Sequence, residues 1–184
     1  MKKRLLKKNF KMEFIEEIKI PKDRIAVLIG KKGKIKKEIQ KELNVKIRVS
    51  SATGLVAIKG EDGLDVHIAK QIIQSIARGF NPKIAMKLIS GEYVFDLVNV
   101  GEYAKTKKSL VRLRGRVIGK EGKARKYVEK LTNTHVVVYG KTVGIIGFPE
   151  NVEIARVAIK SLLRGSKHSK VFGKIKRALE RLNL

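Results

Sequence analysis

Two short loops framed by glycines are the parts of this 184-residue sequence best suited to bind a ligand: GKKG at residues 30–33 and GKEG at residues 119–122. Each follows an apolar run that ends in Ile-Gly and precedes a basic segment with helical spacing. Free N–H groups at a helix N-terminus attract phosphate, and glycine lets a sugar-phosphate chain approach without a Cβ clash. The repetition predicts paired clamps for a nucleic-acid backbone.

The charge balance of the chain also indicates a polyanionic partner. Lys and Arg number 43 against 17 Asp and Glu, which gives a formal net charge of +26. A solvated, heat-adapted surface is the alternative explanation, but such surfaces usually gain Lys and Glu together. The charge excess therefore favours nucleic acid. With six Phe, four Tyr and no Trp, aromatic stacking platforms are scarce, which favours a backbone clamp.

The candidate RNA-binding residues lie in the two loops and on the basic segments beside them. Arg112, Arg114 and Arg116 alternate before the second loop, and residues i and i+2 of a helix point apart. We therefore expect one of them to reach RNA and another to pair with an acid; the alternative is a solvated helix face. The full candidate set is Gly30, Lys31, Lys32, Gly33, Lys34, Arg114, Arg116, Gly119, Lys120, Glu121, Gly122, Lys123, Arg125 and Lys126.

Apolar residues beside each loop could line a groove for bases, or could serve only the core. In the first copy they are Ile25, Leu28, Ile35, Ile39 and Ile47. Their counterparts in the second copy are Arg114, Val117, Ala124, Val128 and Val136. The exchange of Ile35 for Ala124 predicts a wider groove in the second copy.

The sequence offers little catalytic chemistry. The histidines His67, His135 and His168 lack metal-site spacing, and cysteine is absent. No nucleophile motif or clear acidic cluster is present. We therefore expect no enzyme activity, no metal and no cofactor; a nuclease with dispersed acids is the alternative. No long apolar segment or signal peptide is evident, so we expect a cytoplasmic protein without membrane contact.

The chain is a duplication, because Gly119 aligns with Gly30 at an offset of 89 residues and flanking residues match in register. Hydrophobic periodicity predicts the order β-α-α-β-β-α in each copy. This order indicates an α+β fold with two three-stranded sheets, each covered by helices on one face. The expected segments are a basic N-terminal tail at 1–11, a first domain at 12–80, a connecting helix at 81–90, a second domain at 91–165 and a basic C-terminal helix at 166–184. The apolar face of that last helix packs on its own domain or docks a partner.

With Ile-Gly-Lys-x-Gly-Lys in both copies, the chain resembles tandem type I KH proteins. The stretch RLRGRVIGKEGKARKYVEKLTNTHVVVYGKTVGIIG at residues 112–147 closely resembles the Dim-two, or partner-of-Nob, family of small-subunit rRNA processing factors. The GXXG loop of a KH module clamps about four nucleotides. The resemblance makes the second domain the main RNA clamp and assigns that role to Gly119, Lys120, Gly122, Lys123, Arg114 and Arg116.

The resemblance also implies a biological role. It implies binding to single-stranded rRNA near the 3′ end of small-subunit rRNA, where the protein would assist a Nob-type endonuclease. It further implies the alpha subunit of initiation factor two as a partner. The intact loop at residues 30–33 indicates an archaeal-type member. A KH adaptor in translation initiation or RNA decay is the alternative function.

Overall fold

The computed structural model describes residues 13–182, and the expected basic tail at residues 1–11 lies outside the described residues. The first copy has the predicted order of elements: β1 (Phe14–Lys19), α1 (Lys22–Ile29), α2 (Lys34–Glu42), β2 (Lys46–Val49), β3 (Leu55–Gly60) and α3 (Gly63–Ala77). The connecting segment is a single helical turn, α4 (Pro82–Ala85), followed by a 3₁₀ turn at Met86–Ser90. The sequence had indicated one continuous helix there. Short connectors often adopt 3₁₀ geometry because so few residues cannot sustain an α-helix.

The second copy repeats the same order and ends in an additional helix. Its elements are β4 (Val94–Asn99), α5 (Lys107–Ile118), α6 (Lys123–Thr132), β5 (His135–Tyr139), β6 (Thr142–Gly147), α7 (Pro149–Leu163) and the C-terminal α8 (His168–Leu182). The apolar spacing of the sequence predicts that α5 begins only at Leu110. It begins earlier because Thr106 and Ser109 form a capping box, in which each side chain accepts a hydrogen bond from the backbone N–H of the other.

Each copy folds into a three-stranded antiparallel sheet with its last strand in the middle, in the orders β1-β3-β2 and β4-β6-β5. The register places Ile18 opposite Val56 and Ile47 opposite Ile58. Successive residues of a strand point to opposite faces, so these apolar side chains share the face on which the helices pack. The α+β class and the predicted element order are confirmed.

The second sheet is packed on both of its faces. Opposite its own helices, the fully buried Phe80 meets Phe95 edge-on at a ring-centroid distance of 5.9 Å, and Ile146 joins the core of the first copy. At the rim of this contact the Tyr139 hydroxyl donates to the Asp23 carboxylate over 2.6 Å. That hydrogen bond raises the pKa of Tyr139 above its ordinary value. The two copies therefore share a buried interface.

Helix α8 packs on the second copy through the apolar face that the sequence indicated. Val171 and Ile175 are buried against α6 and α7, and Leu179 is partly covered. Leu182, in the last turn, remains half exposed. Packing on its own domain therefore accounts for most of this face.

Gly144 of β6 gives a test of the interface between the copies. A Cβ atom added there would lie 2.6 Å from Phe80 Cε2, and the buried Phe80 ring has no room to move. We expect Gly144→Ala to lower the free energy of unfolding by about 1–3 kcal/mol, the usual cost of overpacking. Urea denaturation measures this quantity.

The matched control is Gly173→Ala in α8, where an added Cβ meets nothing within 4 Å. Alanine should stabilise this helix by roughly 0.5–1 kcal/mol. Equal stability of Gly144→Ala and the wild type would contradict the close packing of Phe80 on β6.

Candidate nucleic-acid interface

The two glycine loops have the same backbone conformation. Positive φ angles occur at the first, third and fourth residue of each loop: Gly30, Lys32 and Gly33, and Gly119, Glu121 and Gly122. Across the three pairs the largest difference is in ψ of the last glycine, at 14° against 9°. Lys32 and Glu121 hold this left-handed conformation without being glycine, a strain of about 1–3 kcal/mol that is found mostly at functional turns.

The first glycine of each loop is required by packing inside the protein. A Cβ on Gly119 would lie 2.6 Å from Ala124 Cβ and 2.8 Å from the Ala124 backbone nitrogen. Gly30 is equally close to Ile35 in the first copy. The last glycines differ, since an added Cβ at Gly122 would approach only the far end of Lys126, at 3.9 Å. The last glycine of each loop therefore leaves open space for a ligand backbone, and the first glycine does not.

The surroundings of both loops suit an anion. Neither α2 nor α6 has a side-chain N-cap, so no side chain satisfies the N–H groups that a helix leaves free at its start. The exposed lysines around the two loops are Lys31, Lys32 and Lys34, and Lys120, Lys123 and Lys126. Glu121 lies 3.3 Å from Lys123 Nζ at the surface, where such a pair is weak. The arrangement can hold phosphate oxygens by amide hydrogens and lysine side chains.

Arg116 is engaged within the protein. Its Nε donates to the Leu162 carbonyl over 2.8 Å, and its Nη2 donates to the Ser166 carbonyl. The Leu162 carbonyl lies in the last turn of α7, where it also accepts from the Gly165 N–H, and Ser166 follows the end of that helix. Arg24 does the same for α3 in the first copy, donating to the carbonyls of Ile76 and Phe80. Sequence alignment could not reveal this equivalence, because the two arginines occupy different positions of the repeat.

Arg125 is also held internally, at the outer edge of β5. Its Nη1 donates to Glu129 and to the Val136 carbonyl, both over 2.9 Å. Glu129 in turn accepts from the Val136 N–H over 2.7 Å. In the first copy Gln40 accepts from the Ile47 N–H over 3.0 Å. Both backbone groups of Val136 are thus paired with α6, an arrangement that spacing alone did not predict.

Arg114 differs from the other two arginines. Its side chain is half buried, and its Nε is buried without a hydrogen-bond partner. A buried donor without an acceptor costs about 1–3 kcal/mol. Because that atom is buried, only the partly exposed remainder of the Arg114 side chain is accessible to a ligand.

The apolar residues expected to line the groove belong mainly to the core. In the first copy four of the five are at most 6% exposed: Ile25, Leu28, Ile39 and Ile47. Their counterparts Val117, Val128 and Val136 are buried as well. The core alternative is therefore correct for these residues, since helices and sheet cover them. Ile35 alone is partly exposed in the first set.

Two features are absent from the part of the chain that the structure describes. Within residues 13–182, no three His, Cys, Asp or Glu side chains come together in a way that could hold a metal ion. Over the same range, the helices are too short or too polar to cross a bilayer.

Two family models match the chain. One, described as "Eukaryotic type KH-domain (KH-domain type I)", matches residues 94–180, and another, described as "KH domain", matches residues 15–75. The chain is 50% identical over 172 residues to a KH domain-containing protein of Methanocaldococcus jannaschii, covering 91% of this chain and 75% of that protein. It is 31% identical to the RNA-binding protein pno1 of Dictyostelium discoideum, covering 92% and 74%.

The curated relatives also include the pre-rRNA-processing protein PNO1 of Yarrowia lipolytica, 26% identical over 90% of this chain and 67% of that protein. Among solved structures, the chain is similar to one from the a/eIF2alpha–aDim2p–rRNA complex of Pyrococcus horikoshii. The TM-score is 0.85 at 43% identity, with 94% of this chain and 96% of that chain covered.

The different surroundings of the loop glycines lead to a stability test. Gly119→Ala combines a backbone conformation available almost only to glycine with a clash against Ala124, so it should cost roughly 2–6 kcal/mol. Gly122→Ala introduces only the strain of a left-handed backbone conformation, without a clash, and should cost about 1–2 kcal/mol. Chemical denaturation compares the two variants.

Gly115→Ala is the control, because a Cβ there is unobstructed and lies on the exposed side of α5. It should be neutral or slightly stabilising. If Gly119→Ala and Gly122→Ala lose the same free energy of unfolding, packing against Ala124 is not the reason that the first loop position requires glycine.

Proposed function

The chain belongs to the PNO1/Dim2 family of KH-domain RNA-binding proteins, and from this premise we propose that it binds single-stranded rRNA near the 3′ end of small-subunit rRNA. In this role it is a non-catalytic assembly factor. The observation that carries the proposal is the second loop, where an uncapped helix start, an open glycine and exposed lysines converge. Its conformational identity with the first loop supports a shared task.

Phosphate binding at the second loop combines three contributions. The start of α6 adds the partial positive charge of the helix dipole, together with those amide hydrogens that are not used inside the turn, as the Lys123 N–H is by the Lys120 carbonyl. Lys120, Lys123 and Lys126 supply full charges on flexible stems. Gly122 keeps the surface clear of a Cβ, so a sugar-phosphate chain can approach closely. The net charge of +26 draws RNA to the protein from a distance.

The arginines of the predicted site have separate tasks in this proposal. Arg114, whose side chain is partly exposed, contacts RNA directly. Arg116 positions the loop by tying α5 to the end of α7. Arg125 holds α6 against the edge of β5 through Val136. Loss of Arg116 or Arg125 would therefore act on the shape of the site before it acted on its charge.

The proposed partners follow from the family. Binding at the 3′ end would present that end to a Nob-type endonuclease, which this protein assists by holding the strand. The similar aDim2p chain is found in a complex with a/eIF2alpha and rRNA, which supports the alpha subunit of initiation factor two as a second partner. That complex also favours an adaptor role in translation initiation as the alternative function.

Charge reversal at the second loop tests the clamp. We expect Lys120→Asp combined with Lys123→Asp to weaken binding of a single-stranded oligonucleotide from the 3′ end of small-subunit rRNA by about tenfold or more. Each lost charge-assisted contact is worth roughly 1.5–3 kcal/mol, and the new carboxylates repel phosphate at the helix start. Fluorescence anisotropy measures the dissociation constants.

The control carries the same charge change elsewhere, as Lys83→Asp with Lys141→Asp, both of which are exposed. It should lose far less affinity. The pair Lys31→Asp with Lys32→Asp then measures the share of the first loop. Unchanged affinity in the second-loop variant would overturn the clamp.

Assistance to the endonuclease is tested by cleavage of a precursor RNA that spans the 3′ end of small-subunit rRNA. We expect the wild-type protein to increase correct cleavage by a purified Nob-type endonuclease. The second-loop variant should lose this effect because it no longer holds the strand. Gel analysis of the products provides the measurement, and the Lys83→Asp, Lys141→Asp protein is the control. Metal-dependent cleavage by this protein alone would contradict a non-catalytic role.

A further inference from the structure

Helix α8 is fastened beside the second loop. His168, its first residue, places Nε2 2.9 Å from the carbonyl oxygen of Arg116, and a carbonyl oxygen only accepts hydrogen bonds. Arg116 itself donates to Ser166, just before α8 begins. Arg116 lies three residues ahead of Gly119, so these contacts hold the start of α8 close to the loop.

An open cavity of about 540 Å³ lies between α8 and the loop. Its aromatic wall contains Tyr127 of α6 and Phe172 and His168 of α8. The rings of Tyr127 and Phe172 meet edge-on at 4.6 Å between centroids, and His168 is 5.9 Å from Phe172. Gly119 and Lys120 of the loop also line it.

The chemistry of this cavity matches one nucleotide of a single strand. Aromatic faces stack on nucleobases of any type, and the ammonium groups of Lys120 and Lys123 at its wall suit the adjoining phosphates. We propose that the cavity is a base-stacking subsite, which takes an unpaired nucleobase next to the nucleotides held by the second loop. This subsite rests on the proposed function, because the loop must first bring the strand to it.

The first copy lacks the side chains that form the subsite. Glu38 occupies the position of Tyr127, and the bulkier Ile35 occupies that of Ala124. After α3 the chain runs to Phe80 and the connector, which pack on α3 and on the second sheet. Among residues 13–182, the subsite is therefore found in the second copy and not in the first.

Tyr127→Leu tests the subsite, since it removes the ring and keeps an apolar side chain against Phe172. Tyr127 is 36% exposed, so the fold should persist, which circular dichroism checks. We expect binding of single-stranded RNA to weaken by about 5-fold to 150-fold, the range that base–aromatic stacking spans. Tyr127→Phe should bind like the wild type.

A series of oligonucleotides with one abasic ribose at successive positions identifies the stacked base. In the wild type, an abasic ribose outside the clamped nucleotides should weaken binding by a similar factor at one position. In Tyr127→Leu the penalty at that position should fall to within about twofold, as expected for two changes that remove one interaction. Phe148→Leu, which alters the exposed aromatic pair with Tyr93, should leave all penalties unchanged.

The outcomes separate the subsite from the clamp. Full affinity in Tyr127→Leu, or abasic penalties equal to those of the wild type, would overturn the stacking subsite. If the subsite is overturned in this way but the Lys120→Asp, Lys123→Asp protein loses binding in the same assay, the loop clamp still stands. If that protein binds normally, the clamp fails as well.

Discussion

The close approach between the first loop glycine and the start of the next helix is the constraint on which the site depends. Gly119 lies so near Ala124 that no Cβ fits between them. The chain passes this contact in a turn with positive φ at Gly119, Glu121 and Gly122, and α6 begins directly after it. The amide hydrogens of α6 and the lysines beside them are oriented as a consequence. Phosphate binding therefore rests on a packing requirement inside the protein, and in the second loop the last glycine, Gly122, is the one with open space beside it.

Duplication kept this turn and changed what surrounds it. Both copies tie the first helix to the end of the last with an arginine, Arg24 in one and Arg116 in the other. The side chains that pair with the edge strand beside the loop also differ. In the first copy Gln40 accepts from the backbone of that strand, and in the second the Arg125–Glu129 pair contacts it. Together with α8 and its aromatic residues, these differences surround the two loops with different side chains.

The arginines and the lysines near the second loop have different roles, because their side chains differ chemically. The planar guanidinium group presents several donors in a fixed geometry, which suits Arg116 and Arg125 for backbone carbonyls. Lysines are compact charges on flexible, well-hydrated stems, and those around the loop remain exposed. Part of the positive charge therefore builds the site, and the remainder faces the solvent from which RNA arrives.

Local patterns in the sequence determined the two loops, the duplication, and the order of strands and helices. Each depends on residues a few positions apart, because periodicity, capping and positive φ are local properties. Only the tertiary structure decided that Arg116 contacts Leu162, 46 residues away, that Phe80 covers the second sheet, and that Tyr127 meets Phe172. Such contacts join segments distant in the chain, and no spacing rule encodes which surfaces will pack together once the helices and sheets have formed.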